Sequence, residues 1–163
     1  MFETLQTLTI YELLLRISLA CVFGCALGLD RDIKNKPVDF RVFMIVCVAT
    51  CLVAIMGQEL HETYRGQGDF ISLDLGKIIS GALTGIGFLG AGAILRDRGG
   101  ENENRIIGTA TGASIWASAI IGLCLGFGYI ILASVGFAVI FIILLLIGLL
   151  YNALNKTSDP KVR

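Results

Sequence analysis

Apolar residues run along this chain in five long stretches, roughly 8–29, 40–57, 77–95, 106–125 and 127–151, parted by short polar breaks. Each approaches the roughly 20 mostly apolar residues that a helix needs to cross a bilayer. The pattern predicts an all-α fold: an integral membrane bundle of five transmembrane helices over residues 1–152, with a short tail over 153–163. The second stretch is the shortest and the fourth the most polar. The fifth, IILASVGFAVIFIILLLIGLL, carries no charge and reads as a wall facing lipid. The breaks are distinct: 31–39 is charged and holds Pro37, 58–74 is polar and holds His61, and 96–105 is hydrophilic around Gly99-Gly100. The fourth and fifth stretches meet at GLCLGFG, where Gly122, Gly126 and Gly128 allow a tight reversal and predict an antiparallel hairpin. The first ten residues hold no Lys or Arg, so the basic start of a signal peptide is missing and the first stretch is expected to persist as a helix.

Composition sharpens this picture. Hydrophobic residues make up 55% of the 163, charged residues 16%, and mean hydropathy is +0.80. A soluble domain carries roughly 25% charged residues. The formal net charge is zero, so no global basic field invites nucleic acid. Positive residues fall unevenly across the predicted loops. One side collects Arg31, Lys34, Lys36, Arg41, Arg96, Arg98, Arg105, Lys156, Lys161 and Arg163; the other collects only Arg65 and Lys77. Positive residues favour the cytoplasm, which predicts the N-terminus outside and the C-terminus inside.

Charges and small residues within the stretches suggest contacts. Glu12 and Arg16 stand four apart, share a helix face and are expected to pair near the outer interface. On a helical wheel of the third stretch, Lys77, Ser80, Gly81, Thr84, Gly85, Gly87, Phe88, Ala91 and Gly92 cover one half. Ile79, Ala82, Leu83, Ile86, Leu89, Ala93 and Ile94, with Gly90, cover the other. Lipid gives helices no hydrophobic drive to associate, so small residues that let backbones approach must supply the contact. The small half is therefore expected to pack, through Gly81-x-x-x-Gly85. Gly24-x-x-x-Gly28 and Gly108-x-x-x-Gly112 repeat the spacing, and together they suggest a tight bundle or an oligomer. Gly85→Leu is expected to disrupt fold or assembly. In the fourth stretch Thr111, Ser114 and Ser118 form a hydroxyl stripe, with Trp116 pointing roughly the other way. Such a stripe bonds across helices or back to its own carbonyls more readily than it lines a passage.

Cys21, Cys25, Cys47, Cys51 and Cys124 all lie in apolar stretches with no histidine beside them, and read as small buried hydrophobes. His61 reads as a solvated loop residue. No nucleophile–base pair, phosphate-cradling loop or metal motif is present, so neither enzymatic chemistry nor a cofactor is expected.

Three blocks, in this order, resemble the MgtC/SapB family of bacterial inner-membrane proteins. The first is Gly28-Leu29-Asp30-Arg31-Asp32, then Lys36-Pro37 and Arg41. The second is Asp74 and Lys77, then Gly85-Ile86-Gly87-Phe88-Leu89-Gly90-Ala91-Gly92. The third is Gly108, Thr111, Ala113, Ile115-Trp116, Ala119 and Gly122. Asp30 and Asp32 stand where the family carries glutamates, Val42-Phe43 where it carries Thr-His, and Gly81 where glutamine is usual. The resemblance implies a multi-pass bacterial inner-membrane protein of five helices with its N-terminus outside. It also implies a role in adaptation to low magnesium, survival inside host cells or membrane energetics, including restraint of the ATP synthase. This chain is similar to the short, membrane-only form.

Two functions are compatible with these residues. One is a non-enzymatic regulator that binds a membrane partner, such as the ATP synthase, or a second copy of itself, through the glycine faces of stretches one, three and four. Asp30, Arg31, Asp32 and Arg41 would set register, with an Asp32–Arg41 pair across their loop. The other is a small oligomeric ion or solute conduit. There the small half of stretch three would face the hydroxyls of stretch four, with Asp74 and Asp30 at the two mouths.

Overall fold

A computed structural model describes residues 8–33, 38–64, 74–96 and 106–157. Lys34, Lys36 and Pro37, Arg65, the Gly99-Gly100 turn, Arg98, Arg105 and residues 158–163 lie outside the described residues. Five helices follow in order: α1 (Ile10–Ile33), α2 (Phe40–Tyr64), α3 (Leu75–Gly92), α4 (Thr109–Gly126) and α5 (Ile130–Thr157). A two-residue antiparallel ribbon, β1 (Leu95–Arg96) with β2 (Ile106–Ile107), closes the α3–α4 connection, where the apolar pattern predicts that the helices run on. Helices α1 to α4 are each long and apolar enough to cross a membrane, and α5 is 28 residues long.

The ends of the helices follow local chemistry. Thr9 and Glu12 form a capping box at the start of α1: the Thr9 amide donates to Glu12 Oε2 at 3.2 Å, and the Glu12 amide to Thr9 Oγ1 at 3.4 Å. Asp74 caps α3, its Oδ1 accepting from the Gly76 and Lys77 amides. The expected shortest helix, α2, is instead 25 residues long, because Gln58, Glu59, Leu60 and Glu62 hold helical geometry at little entropic cost, so His61 lies in the last turn of α2, partly buried, and not in a loop. The 18-residue α3 and α4 are the shortest. Gly108 precedes α4 at φ +89° and Gly128 follows it at φ +85°, left-handed conformations that a Cβ disfavours. Gly128 turns the chain into α5 within three residues, 127–129.

Helix α4 touches all four others. Eleven of its residues are buried, 61% of the helix, against 6% for α3. The most polar stretch is thus the central one, since its hydroxyls and glycines are small enough to be surrounded by helices. Its main seam runs against α2. A Cβ at Gly122 would collide with the Cys47 carbonyl, and one at Gly126 with the Cys51 carbonyl. Gly24 and Gly28 of α1 lie on the other side of α2, where added Cβ atoms would stand 2.8 Å from Phe43 O and 2.6 Å from Phe40 O. All five cysteines are free thiols: Cys47 and Cys51 are fully buried in this interior, whereas Cys21, Cys25 and Cys124 are only partly buried. On α5 only Ala133 is buried among the residues whose side chains are described, while Ile131, Leu132, Val135, Val139 and Ile142 face outward, as a lipid wall should. Its Phe137 stacks on Phe23 of α1 at 4.4 Å between ring centroids.

Candidate helix–helix contact site

Helix α3 turns the opposite way from the sequence expectation. Leu75, Ile78, Ile79, Ala82, Leu83, Ile86, Gly90 and Ala93 lie inward, wholly or partly buried, while Leu89 and Ile94 of the same oily half are exposed. Lys77, Ser80, Gly81, Thr84, Gly85, Gly87, Phe88, Ala91 and Gly92 lie on the side turned away from the bundle. A Cβ built at Gly81, Gly85, Gly87 or Gly92 meets nothing within 4 Å. The physical reason lies at the two ends of α3. Leu75 and Ile78 pack on Gly57 of α2, and Gly90 packs backbone-to-backbone on Gly112 of α4, where a Cβ would stand 2.6 Å from Gly90 O. These contacts fix the rotation, and the oily side then meets Phe43, Val46, Ile115 and Ala119. A Cβ at Gly85 meets no neighbour within the chain, so Gly85→Leu is expected to spare the intrachain packing and to act, if at all, on assembly.

The exposed face carries bulk and polarity side by side. Phe88 is 81% exposed, with open glycines a turn away on either side. The Thr84 hydroxyl donates to Ser80 O at 2.7 Å, so it is satisfied by its own helix. Lys77, in the first turn, makes no ion pair among the described residues.

The hydroxyls of α4 point elsewhere. Thr111, Ser114 and Ser118 are buried, while Trp116 on the other side is exposed. Ser114 donates to Ala110 O and Ser118 to Ile115 O, each at 2.7 Å. Ser118 shares its stripe with Gly122 and Gly126, the residues that meet α2. The small half of α3 and the hydroxyls of α4 therefore do not face each other within the chain, and the passage expected between them is not formed there.

The charged groups also differ from expectation. Arg16 does not pair with Glu12, which is engaged in its capping box. Its Nη1 donates instead to Gly126 O at 2.8 Å and reaches Gln58 Oε1 at 3.5 Å. The cluster at the end of α1 separates into two parts. Asp30 and Arg31 are buried, their side chains 4% and 7% exposed, with Arg31 Nη2 3.4 Å from Asp30 Oδ2. Arg31 Nε has no hydrogen-bond partner among the described residues. Asp32 is exposed, and Arg41 pairs not with it but with Asp39, also exposed, at 3.8 Å. Val38 beside them adopts φ +96°, unusual for a β-branched residue. Among the described residues no cluster of His, Cys, Asp and Glu could hold a metal ion.

The MgtC family model matches residues 17–153. The chain belongs to the MgtC family. It is 34% identical over 146 residues to an uncharacterised protein of Haemophilus influenzae, covering 90% of this chain and 60% of that one. It is 31% identical over 119 residues to protein SapB of Bacillus subtilis, covering 72% and 49%. It is 32% identical over 117 residues to YhiD of Escherichia coli K12, named as a candidate magnesium transporter, covering 72% and 52%. The chain thus spans about half to three-fifths of the length of these curated relatives. No solved structure matches it.

Within this MgtC-family bundle, the tightest seam carries a sequence signal of its own. Gly122-x-x-x-Gly126 has the small-residue spacing and faces Cys47-x-x-x-Cys51, which repeats it. Proximity to Gly128 makes these glycines look like turn residues alone. The Thr9-x-x-Glu12 capping signature is likewise present at the start of α1.

Proposed function

We propose that this MgtC-family protein is a non-enzymatic regulator of the bacterial inner membrane, acting by helix-to-helix contact. One observation carries the reading: the exposed glycine face of α3, where Gly81, Gly85, Gly87 and Gly92 have open space. The other glycine seams, on α1 and α4, are engaged inside the chain, which narrows the contact to α3. A face of glycine, Ser80, Thr84 and Lys77 gains little from acyl chains, while a neighbouring helix can approach its backbone closely. The family resemblance supplies the setting: adaptation to low magnesium or control of membrane energetics, with the ATP synthase as partner. The ten-to-two bias of positive residues supports a cytoplasmic C-terminus, which reporter fusions at the two termini would test.

The deciding experiment measures proton-driven ATP synthesis in inverted membrane vesicles with and without the protein. Restraint by the wild type, lost in Gly85→Leu at equal expression, is the expected result. Equal restraint by both would reject the α3 contact.

A conduit is the second reading, favoured by the transporter name of YhiD and by the polar residues Lys77, Ser80 and Thr84 on one face. It would need several copies gathered around α3. Ion flux in liposomes, lost in Asp74→Ala and Asp30→Ala, would support it.

A further inference from the structure

We infer that the exposed face of α3 is covered by a second copy of this chain, in a two-fold pair whose axis runs along the membrane normal. This rests on the preceding reading that the face is a contact surface, and it names the occupant.

Three features make the face complementary to itself. The first is position. Helix α3 runs from Leu75 to Gly92, and Gly81 and Gly85 straddle its middle. Two copies with the same membrane orientation that cross at the midpoint bring the same residues together from both sides, which an isologous interface requires. The glycine pair lets the backbones approach at a crossing angle of about −40°. The second is shape. Phe88 projects from the face one turn from Gly85 on one side and Gly92 on the other, neither glycine having a neighbour within 4 Å of an added Cβ. Each copy thus offers one knob and the hollows to receive one. The third is charge. Asp74 and Lys77 are both exposed, and three residues of helix separate them by about 4.5 Å of rise. A two-fold pair sets Lys77 of one copy beside Asp74 of the other, giving the lysine a counter-ion it lacks among the described residues of its own chain. A different protein would have to match all three by its own sequence. A second copy matches them by symmetry. A partner using the same face must then displace the second copy.

The test uses the full chain in bacterial membrane vesicles. Thr84→Cys is compared with wild type, whose five native cysteines give the background, and with Val135→Cys on the lipid side of α5. Oxidation with copper phenanthroline is expected to give a disulfide-linked dimer in Thr84→Cys alone. Adding Gly85→Leu lowers its yield about tenfold, while monomer elution and helical circular dichroism in detergent stay unchanged. A dimer that is equal in Val135→Cys, or insensitive to Gly85→Leu, overturns the inference. So does the absence of a dimer when a photoreactive maleimide on the thiol introduced by Thr84→Cys joins the chain to an ATP synthase subunit, and that result leaves the proposed function standing. Neither product overturns both.

Discussion

Arg16 on α1 donates from Nη1 to the carbonyl of Gly126, the last residue of α4, at 2.8 Å. A cation at a helix C-terminus offsets the partial negative charge of its unpaired carbonyls. The guanidinium also lies against the turn into α5, where a Cβ on Gly128 would stand 2.9 Å from Nη2. One side chain therefore joins α1, the end of α4 and the start of α5. Arg16→Met is expected to lower stability by about 2 kcal/mol, the size of a charge-assisted hydrogen bond at a helix end. A double-mutant cycle with Glu12→Ala should give a coupling near zero, because Glu12 caps its own helix. Unfolding of the four variants in detergent would check both values, and a large coupling would restore the Glu12–Arg16 pair.

The glycines divide into those enclosed and those open, and their substitutions should divide likewise. Gly122→Ala drives a Cβ into the Cys47 carbonyl and Thr50 Oγ1, both held in α2. Overpacking of this kind costs about 1–3 kcal/mol, toward the upper end where backbone is the obstacle. Gly85→Ala meets open space and should change monomer stability by no more than about 0.5 kcal/mol. Thermal unfolding of the two variants as detergent monomers separates them, and equal losses would contradict the orientation of α3.

The spans are legible in the sequence because the bilayer imposes a length, and an uncharged run such as that of α5 meets it unambiguously. The rotation of α3 is not. A helical wheel tells which residues share a side, but in lipid both core and surroundings are apolar, so Ile79, Leu83 and Ile86 have no obligatory direction. Contacts distant in sequence, Gly90 with Gly112 and Ile78 with Gly57, decide it. The charges mislead for a related reason. Glu12 satisfies both an i, i+4 pairing rule and a capping rule, and Arg16 finds its acceptor 110 residues away. The hydroxyls of α4 do fall on one stripe as the spacing predicts, and their bonding to nearby carbonyls follows from the reach of a serine side chain.

Those serines allow a sharp comparison between packing and passage. Ser114 and Ser118 bond carbonyls of their own helix, so replacing either with alanine removes a local bond and leaves no buried partner without one. Each change should cost less than about 1 kcal/mol. Neither should alter ion flux in liposomes, since the stripe faces a packed seam. A flux change in Ser118→Ala at unchanged stability would return the stripe to the role of pore lining.

Arg31, in the last turn of α1, and Arg41, in the first turn of α2, should respond very differently to the loss of their charge. Arg31 is buried beside Asp30, so Arg31→Met leaves a carboxylate in a poorly solvated place. Breaking such a buried pair from one side costs about 3–5 kcal/mol. Arg41 and Asp39 are 74% and 52% exposed, and an exposed pair contributes about 0–1 kcal/mol. Arg41→Met should therefore be nearly silent in unfolding experiments. If Arg31→Met proved as mild as Arg41→Met, the end of α1 would be open to water in the working protein, and Asp30 and Arg31 would belong with Asp32 on the surface.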